Sequence, residues 1–120
     1  MNHVPLAIDQ MREGRLLRIY LGESDKTQGK LSYEAVVEAA RKEGLAGATV
    51  LRGSTGFGAN SVVHHASPWR LSSDLPIIIE IVDELEIVQA FLPVLKNLLQ
   101  GGGLITLERV RVLSYRPGEA

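Results

Sequence analysis

Residues 76–83 read PIIIEIVD and are the clearest β-strand signal in the chain. Pro76 stands first, where a missing backbone N–H donor does least harm. The period of two divides the strand into two rows on opposite faces, Ile77, Ile79 and Ile81 against Ile78, Glu80 and Val82. Both rows are largely apolar, whereas a sheet with one solvated face alternates more cleanly. This strand therefore predicts a sheet that is covered on both faces.

The chain divides into two similar units, each of which reads as strand, helix, strand, and this strand begins the second unit. The first covers 16–53 and begins with LLRIYLG, whose β-branched and aromatic residues predict a strand that ends at Gly22. Its second strand is predicted at 48–53. The second unit covers 77–115 and ends with LITLERVRVLSY at 104–115, which is the last predicted strand.

Apolar residues at helical spacing predict one helix in each unit. In the first helix, Ser32 is the predicted cap and Gly44 ends the helix as a residue that tolerates positive φ. The polar segment 23–30 before it is predicted as a loop. The second helix covers 84–99, and Pro93 inside it is predicted to kink or divide it.

The resulting order, β-α-β-β-α-β, predicts an α+β fold of the ferredoxin-like type. Such a sandwich has a four-stranded antiparallel sheet with two helices on one face. Residues 1–15 are predicted as an N-terminal arm, 16–116 as the domain and 117–120 as a tail. Because the helices cover one face only, the second apolar face predicts oligomerisation.

The composition restricts the class of protein. The chain has 120 residues, no Cys and a net charge of −1, which excludes disulfides and Cys-ligated metal sites and disfavours nucleic-acid binding by a basic surface. No apolar run approaches the ~20 residues that span a bilayer, and the polar start is unlike a signal peptide, so we expect a cytoplasmic protein without membrane insertion.

Two glycine clusters and one arginine pair are the candidate anion-binding features. Gly101–Gly103 separates the second helix from the last strand, and Gly53, Gly56 and Gly58 open the long segment 54–75. Consecutive glycines can turn their N–H groups toward an anion, or they can simply terminate elements. Arg109 and Arg111 point to the same side of the last strand, as a phosphate clamp or as a solvated face.

Several chemistries lack support in the sequence. His64 and His65 are adjacent and therefore point apart on extended backbone, with no carboxylate nearby in the segment, which disfavours a metal site. The strand at 76–83 has no aromatic residue, whereas RNA-recognition domains of this fold stack bases on aromatics in that strand. Neither a nucleophile motif nor a phosphatase loop is recognisable, so we predict no catalytic residues and no enzyme activity.

Three segments carry a family resemblance: LRIYLGESDK at 17–26, EAARKEGLAGATVLRGSTGFG at 38–58 and LPIIIEIVD at 75–83. Together they resemble the uncharacterised branch of PII-like proteins, which share a fold with the nitrogen regulatory PII signalling family. The resemblance covers about 15–116. It implies a homotrimer with adenine-nucleotide sites, for ATP, ADP or AMP with or without Mg²⁺, in the clefts between subunits.

The resemblance also implies roles for particular residues. Gly56, Phe57 and Gly58 match the GFG at the base of the PII T-loop, and Gly101–Gly103 lies where the phosphate-binding loop would be. Arg109 and Arg111 match the paired arginines that reach nucleotide phosphates. Classical PII proteins follow GFG with Arg-Gln. Ala59 and Asn60 stand there in this chain, so Arg52 or Lys30 is expected to supply the missing contact.

The segment 54–75 would be the T-loop that engages a partner, a membrane transporter or channel, or an enzyme. It contains no Tyr, so it offers no acceptor for tyrosine uridylylation. The residues expected to contact the partner are Val62, Val63, His64, His65 and Trp69. An alternative is a protein-interaction module with the same trimeric fold and no nucleotide. A metal-tolerance protein of the same broad trimeric fold is disfavoured because the chain has no Cys.

Overall fold

The computed structural model describes residues 11–58 and 74–113. In chain order its elements are β1 (Arg12–Gly22), β2 (Lys26–Thr27), β3 (Lys30–Leu31), α1 (Ser32–Lys42), β4 (Thr49–Arg52), β5 (Pro76–Asp83), α2 (Leu85–Leu99) and β6 (Leu104–Val112). Four strands form one antiparallel sheet in the order β4-β5-β1-β6, and β2 and β3 form a separate hairpin. Apart from this hairpin, the element order is β-α-β-β-α-β, which confirms the predicted ferredoxin-like α+β fold.

The hydrophobic core lies between the helices and one face of the sheet. The alternation predicted along β5 is confirmed, because Ile77, Ile79 and Ile81 are at most 1% exposed. The same core contains Leu17 and Ile19 of β1 and the inward-facing helix residues Val36, Val88, Phe91 and Leu95. Apolar side chains at period two on the strands and at helical spacing on the helices thus meet in one layer.

The opposite face of the sheet remains open in the described chain. It carries the second row of β5, and three of its apolar residues are well exposed: Val82 at 38%, Leu51 at 45% and Leu104 at 59%. The strand register places these residues on the side away from the helices. Within the described residues, no helix is long and apolar enough to cross a membrane.

Strand boundaries differ from the sequence predictions in three places. β1 begins at Arg12 rather than at residue 16, so residues 12–15 belong to the sheet and not to the predicted arm 1–15. These residues are mostly charged, so they lack the apolar alternation from which the strand was predicted. β4 is shorter than the predicted 48–53, and β6 ends at Val112 rather than at 115.

The structure also differs from the sequence predictions in the region before α1 and in the two helices. Segment 23–30 is not only a loop, because it enters a hairpin with a tight turn at Gln28 and Gly29, both at positive φ. Ser32 is not the cap: it is the first residue of α1, and no side-chain cap hydrogen bond is present. α2 continues through Pro93 without dividing.

Candidate functional site

A groove crosses the end of the sheet at which β1 ends and β6 begins. It consists of two adjoining cavities of about 460 Å³ and about 350 Å³. The larger one lies between the β2–β3 hairpin and the glycines that follow α2. The smaller one lies against Phe57 and Gly58, which follow β4. Leu21, Asp25 and Gly103 line both cavities, so one elongated ligand can extend from one into the other.

The glycine loop 101–103 forms one wall of the larger cavity. α2 ends at Leu99, and the next residue, Gln100, turns the chain with φ of 48°. Gly103 has φ of 77°, and a Cβ there would lie 2.8 Å from Leu21 Cδ2. Gly102 donates its N–H to the Leu99 carbonyl at 2.9 Å, so this donor is used within the turn. The loop therefore ends the helix, and its glycines let the backbone pack closely against β1 at the wall of the groove.

Two carboxylates border the groove where β1 ends. Asp25 accepts a hydrogen bond from the Gly22 N–H at 2.9 Å. Asp74 accepts from the N–H and the hydroxyl of Ser24, at 3.1 and 2.7 Å. Asp74 lines the smaller cavity, whereas Asp25 lines both. Neither residue was predicted from the sequence, in which the turn-rich composition around Asp25 is the one available signal.

The smaller cavity is mainly apolar. Its walls include Tyr20, Pro76 and Leu104 beside Phe57, whose side chain is 72% exposed. Gly56 packs against the ring of Pro76, since a Cβ at Gly56 would lie 3.1 Å from Pro76 Cγ. Of the three GFG residues predicted from the resemblance, Phe57 and Gly58 line this cavity, and Gly56 supports them.

Two residues expected to replace missing phosphate contacts lie elsewhere. Arg52 pairs with Glu23, with 2.5 Å between Nη2 and Oε2. Lys30 pairs with Glu38, with 2.5 Å between Nζ and Oε2. The Lys30 hydrogen bond lowers the pKa of the Glu38 carboxyl below its ordinary value. Neither Arg52 nor Lys30 lines either cavity. Because both side chains are well exposed, these ion pairs hold their positions only weakly.

Arg109 and Arg111 lie at the other end of β6, and the register confirms that they share one side of the strand. They lie opposite Arg15 and Glu13 of β1, respectively. A rise of about 3.3 Å per residue separates Arg109 from Gly103 by about 20 Å along the strand. One chain therefore does not bring the arginine pair and the glycine loop together. Arg15 is a third member of this arginine cluster that the sequence analysis missed.

An ion network occupies the open face of the sheet. Arg18 donates from Nε to Glu80 Oε2 at 2.9 Å and from Nη1 to Glu108. The Glu80 hydrogen bond is the largest cause that raises the pKa of Arg18, and the charge of Glu108 acts in the same direction. Three strands, β5, β1 and β6, are thus linked across a face that is otherwise rich in apolar side chains.

Some predicted residues lie outside the part of the chain that the structure describes. These are the expected partner-contacting residues Val62, Val63, His64, His65 and Trp69, together with Ala59 and Asn60. Among residues 11–58 and 74–113, no group of three or more His, Asp or Glu side chains is arranged to hold a metal ion.

Comparison with known sequences identifies relatives over most of the chain. The family model DUF190, described as "Uncharacterized ACR", matches residues 14–112. A UPF0166 protein of Aquifex aeolicus is 39% identical over 99 residues, which are 82% of this chain and 92% of that protein. A UPF0166 protein of Methanocaldococcus jannaschii is 39% identical over 97 residues, covering 81% of this chain and 89% of the relative.

Comparison with solved structures identifies the same fold in PII-like proteins. CPII from Thiomonas intermedia K12, bound to ADP, AMP and bicarbonate, has a TM-score of 0.64 and 19% identity, covering 89% of this chain and 92% of CPII. A putative PII-like signaling protein from Thermus thermophilus has a TM-score of 0.60 and 17% identity, covering 86% of this chain and 92% of that protein. The predicted resemblance to an uncharacterised PII-like family is confirmed.

Proposed function

The chain belongs to the DUF190 family, and from this premise we propose that it is a PII-like regulatory protein that binds an adenine nucleotide between subunits. The observation that carries the proposal is the groove at the end of the sheet. An apolar cavity beside Phe57 adjoins a polar cavity beside Gly101–Gly103, and this arrangement suits a flat base joined to a phosphate chain. CPII, which shares the fold, was solved with ADP and AMP.

The position of the arginine cluster supports a site that is shared between chains. Arg109 lies opposite Arg15, and Arg111, two residues further along the same side of the strand, lies opposite Glu13. Like charges directly opposite one another are unfavourable. Glu13, 4.0 Å from Arg15 Nη1, offsets part of this repulsion, and an anionic ligand beside Arg109 would offset more of it. Because Arg109 is about 20 Å along the strand from Gly103, one nucleotide can contact both only if they come from different subunits. The two ends of β6 would then serve two neighbouring sites.

The open face of the sheet supports a homotrimer. Its exposed apolar residues, such as Leu51 and Leu104, would be removed from water by other copies of the chain. The charged side chains on this face need no partner from another copy, because Arg18 already bonds to Glu80 and Glu108 within the chain. Closed cyclic assemblies in which each subunit contributes one surface to each neighbour produce shared clefts of this kind.

The segment 54–75 is proposed to engage a partner, a membrane transporter or an enzyme, under control of the nucleotide. Its described ends border the smaller cavity: Phe57 and Gly58 on one side and Asp74 on the other. A ligand in that cavity therefore touches both ends of the segment. It would change the conformation of the segment to the extent that it binds one conformation more tightly than another.

A thermal-shift titration tests the nucleotide proposal. ATP, ADP, AMP and cyclic AMP would each be titrated with and without Mg²⁺. A ligand that binds only the folded protein stabilises it by RT ln(1 + [L]/Kd), about 2.7 kcal/mol at a hundredfold excess over Kd. We expect a rise of several degrees with an adenine nucleotide. A flat response to all of them would favour the alternative, a docking module that uses the exposed Phe57 and segment 54–75 without a nucleotide.

A further inference from the structure

The larger cavity has one wall that the glycine loop does not explain, the β2–β3 hairpin. Lys26, Thr27 and Gln28 of this hairpin line the cavity opposite Gly101–Gly103. We propose that the hairpin is the phosphate-binding wall of the groove and that Lys26 supplies its positive charge. This proposal rests on the proposed nucleotide function and assigns a residue role within that site.

The hairpin is held in a fixed position against the end of α2. Thr27 donates its hydroxyl to the Leu98 carbonyl at 3.0 Å, which joins β2 to the last turn of the helix. Ser32 donates its N–H to the Asp25 carbonyl at 2.7 Å, which closes the base of the hairpin. The conformation of the hairpin itself is set by its strand pairing and its turn. Lys26 pairs with Leu31, and Gln28 and Gly29, both at positive φ, form the tight turn. Lys26 is therefore presented on a supported element.

Lys26 is the one cation among the described residues that line the two cavities. Within residues 11–58 and 74–113 it forms no ion pair, whereas Lys30 on the same hairpin is paired with Glu38. A flexible ammonium with three donors suits phosphate oxygens whose number varies between nucleotides. The glycine loop has already used the Gly102 N–H within its turn, so a nearby side-chain donor compensates for that backbone group.

Asp25 determines how a nucleotide would be oriented in the groove. Its carboxylate lines both cavities and therefore lies near their junction. A carboxylate repels phosphate but accepts hydrogen bonds from ribose hydroxyls, as acidic residues do in other nucleotide sites. The ribose would lie at Asp25, the base in the apolar cavity beside Tyr20 and Leu104, and the phosphates beside Lys26, away from the carboxylate.

Isothermal titration of ADP into the wild type, Lys26→Ala, Lys26→Arg and Lys30→Ala tests this assignment. Loss of one charge-assisted contact should weaken ADP binding by about ten- to a hundredfold in Lys26→Ala. Lys26→Arg should retain most of the affinity. Lys30→Ala is the matched control, because it removes a lysine of the same hairpin that lines neither cavity, and it should change the affinity by less than about twofold.

Two results would overturn the assignment and are distinguishable from failure of the proposed function. If the wild type binds ADP and Lys26→Ala binds it equally well, the hairpin is not the phosphate wall, and the nucleotide function stands. If Lys26→Ala and Lys30→Ala weaken binding equally, the effect is one of general charge on the hairpin. If the wild type binds none of ATP, ADP and AMP, both proposals fail. The melting temperature without ligand should be equal in the wild type and the two Lys26 variants, since Lys26 is exposed. Lys30→Ala should melt only slightly lower, because it loses the exposed ion pair with Glu38.

Discussion

Arg15 and Arg109 lie directly opposite each other in the antiparallel pairing of β1 with β6. Arg15 is nearly buried, with 12% of its side chain exposed. It donates to the Gly14 carbonyl at 3.0 Å, and its Nη1 lies 4.0 Å from Glu13 Oε2. Arg109 is exposed on the same side of the sheet and forms no ion pair within the described residues. A supported arginine beside a solvated one is an arrangement that an anionic ligand would stabilise.

Replacement of Arg109 by Ala should therefore weaken binding of a triphosphate nucleotide by roughly 1.5–3 kcal/mol, the range for a charge-assisted contact. The measurement is calorimetric titration with ATP. Arg41→Ala is the control, since Arg41 is an exposed arginine in the last turn of α1 and lines neither cavity. Equal affinities of Arg109→Ala and the wild type would remove Arg109 from the phosphate site.

Two phenylalanines should separate ligand binding from stability. Phe57 is 72% exposed and lines the smaller cavity, so Phe57→Ala should weaken nucleotide binding and change the free energy of unfolding by less than about 0.5 kcal/mol. Phe91 is 1% exposed in the core, so Phe91→Ala should cost about 3–5 kcal/mol. Urea unfolding measures both. A large loss of stability in Phe57→Ala would mean that Phe57 is part of the fold rather than of a ligand site.

The glycine loop permits a matched comparison of two positions. Gly101 and Gly103 both have positive φ, but only Gly103 is crowded, with its hypothetical Cβ 2.8 Å from Leu21 Cδ2 and 3.2 Å from the Tyr20 carbonyl oxygen. Gly101→Ala should lose about 1–2 kcal/mol of stability from its backbone conformation alone. Gly103→Ala should lose more, because Leu21 and β1 must shift as well. Equal losses by chemical denaturation would contradict the close packing of this loop on β1.

The Lys30–Glu38 pair should produce a small pH-dependent effect. Its hydrogen bond lowers the pKa of Glu38 in the folded protein below its ordinary value of 4.5. The pair therefore contributes stability above the unfolded-state pKa, and this contribution is lost as the pH falls through the lowered folded-state value. Glu38→Gln should melt slightly below the wild type at pH 7 and at the same temperature in strong acid. High salt should also reduce the difference. A difference that persists in strong acid would rule out this origin.

The fold was predictable because its strongest signals are periodic. The buried row of β5 and the helical spacing around Val36 and Val88 each specify a face, and faces of this kind have few ways to pack. The missed elements carry no such period. β2 and β3 have two residues each, and the first residues of β1 are charged, so neither produces an apolar alternation.

The candidate site was only partly predictable for a different reason. Glycines and paired arginines were identified from their residue types, but their separation depends on the direction and register of β6, which the sequence does not give. Lys26 and Asp25 lie in a polar segment that resembles an ordinary loop. Their role depends on the hydrogen bond from Thr27 to Leu98, across 71 positions of the chain. Contacts of such sequence separation leave no local pattern.

Mixing two defective variants tests most directly whether the nucleotide site is shared between subunits. Phe57→Ala damages the groove, and Arg109→Ala damages the arginine cluster at the opposite end of β6. The two proteins would be refolded together, and ADP binding would be compared with that of each protein refolded alone. We predict that high-affinity sites reappear, about one site in four for random assortment, since a cyclic assembly places an intact groove beside an intact cluster. A mixture that binds only as weakly as its two components would contradict a site formed by two chains.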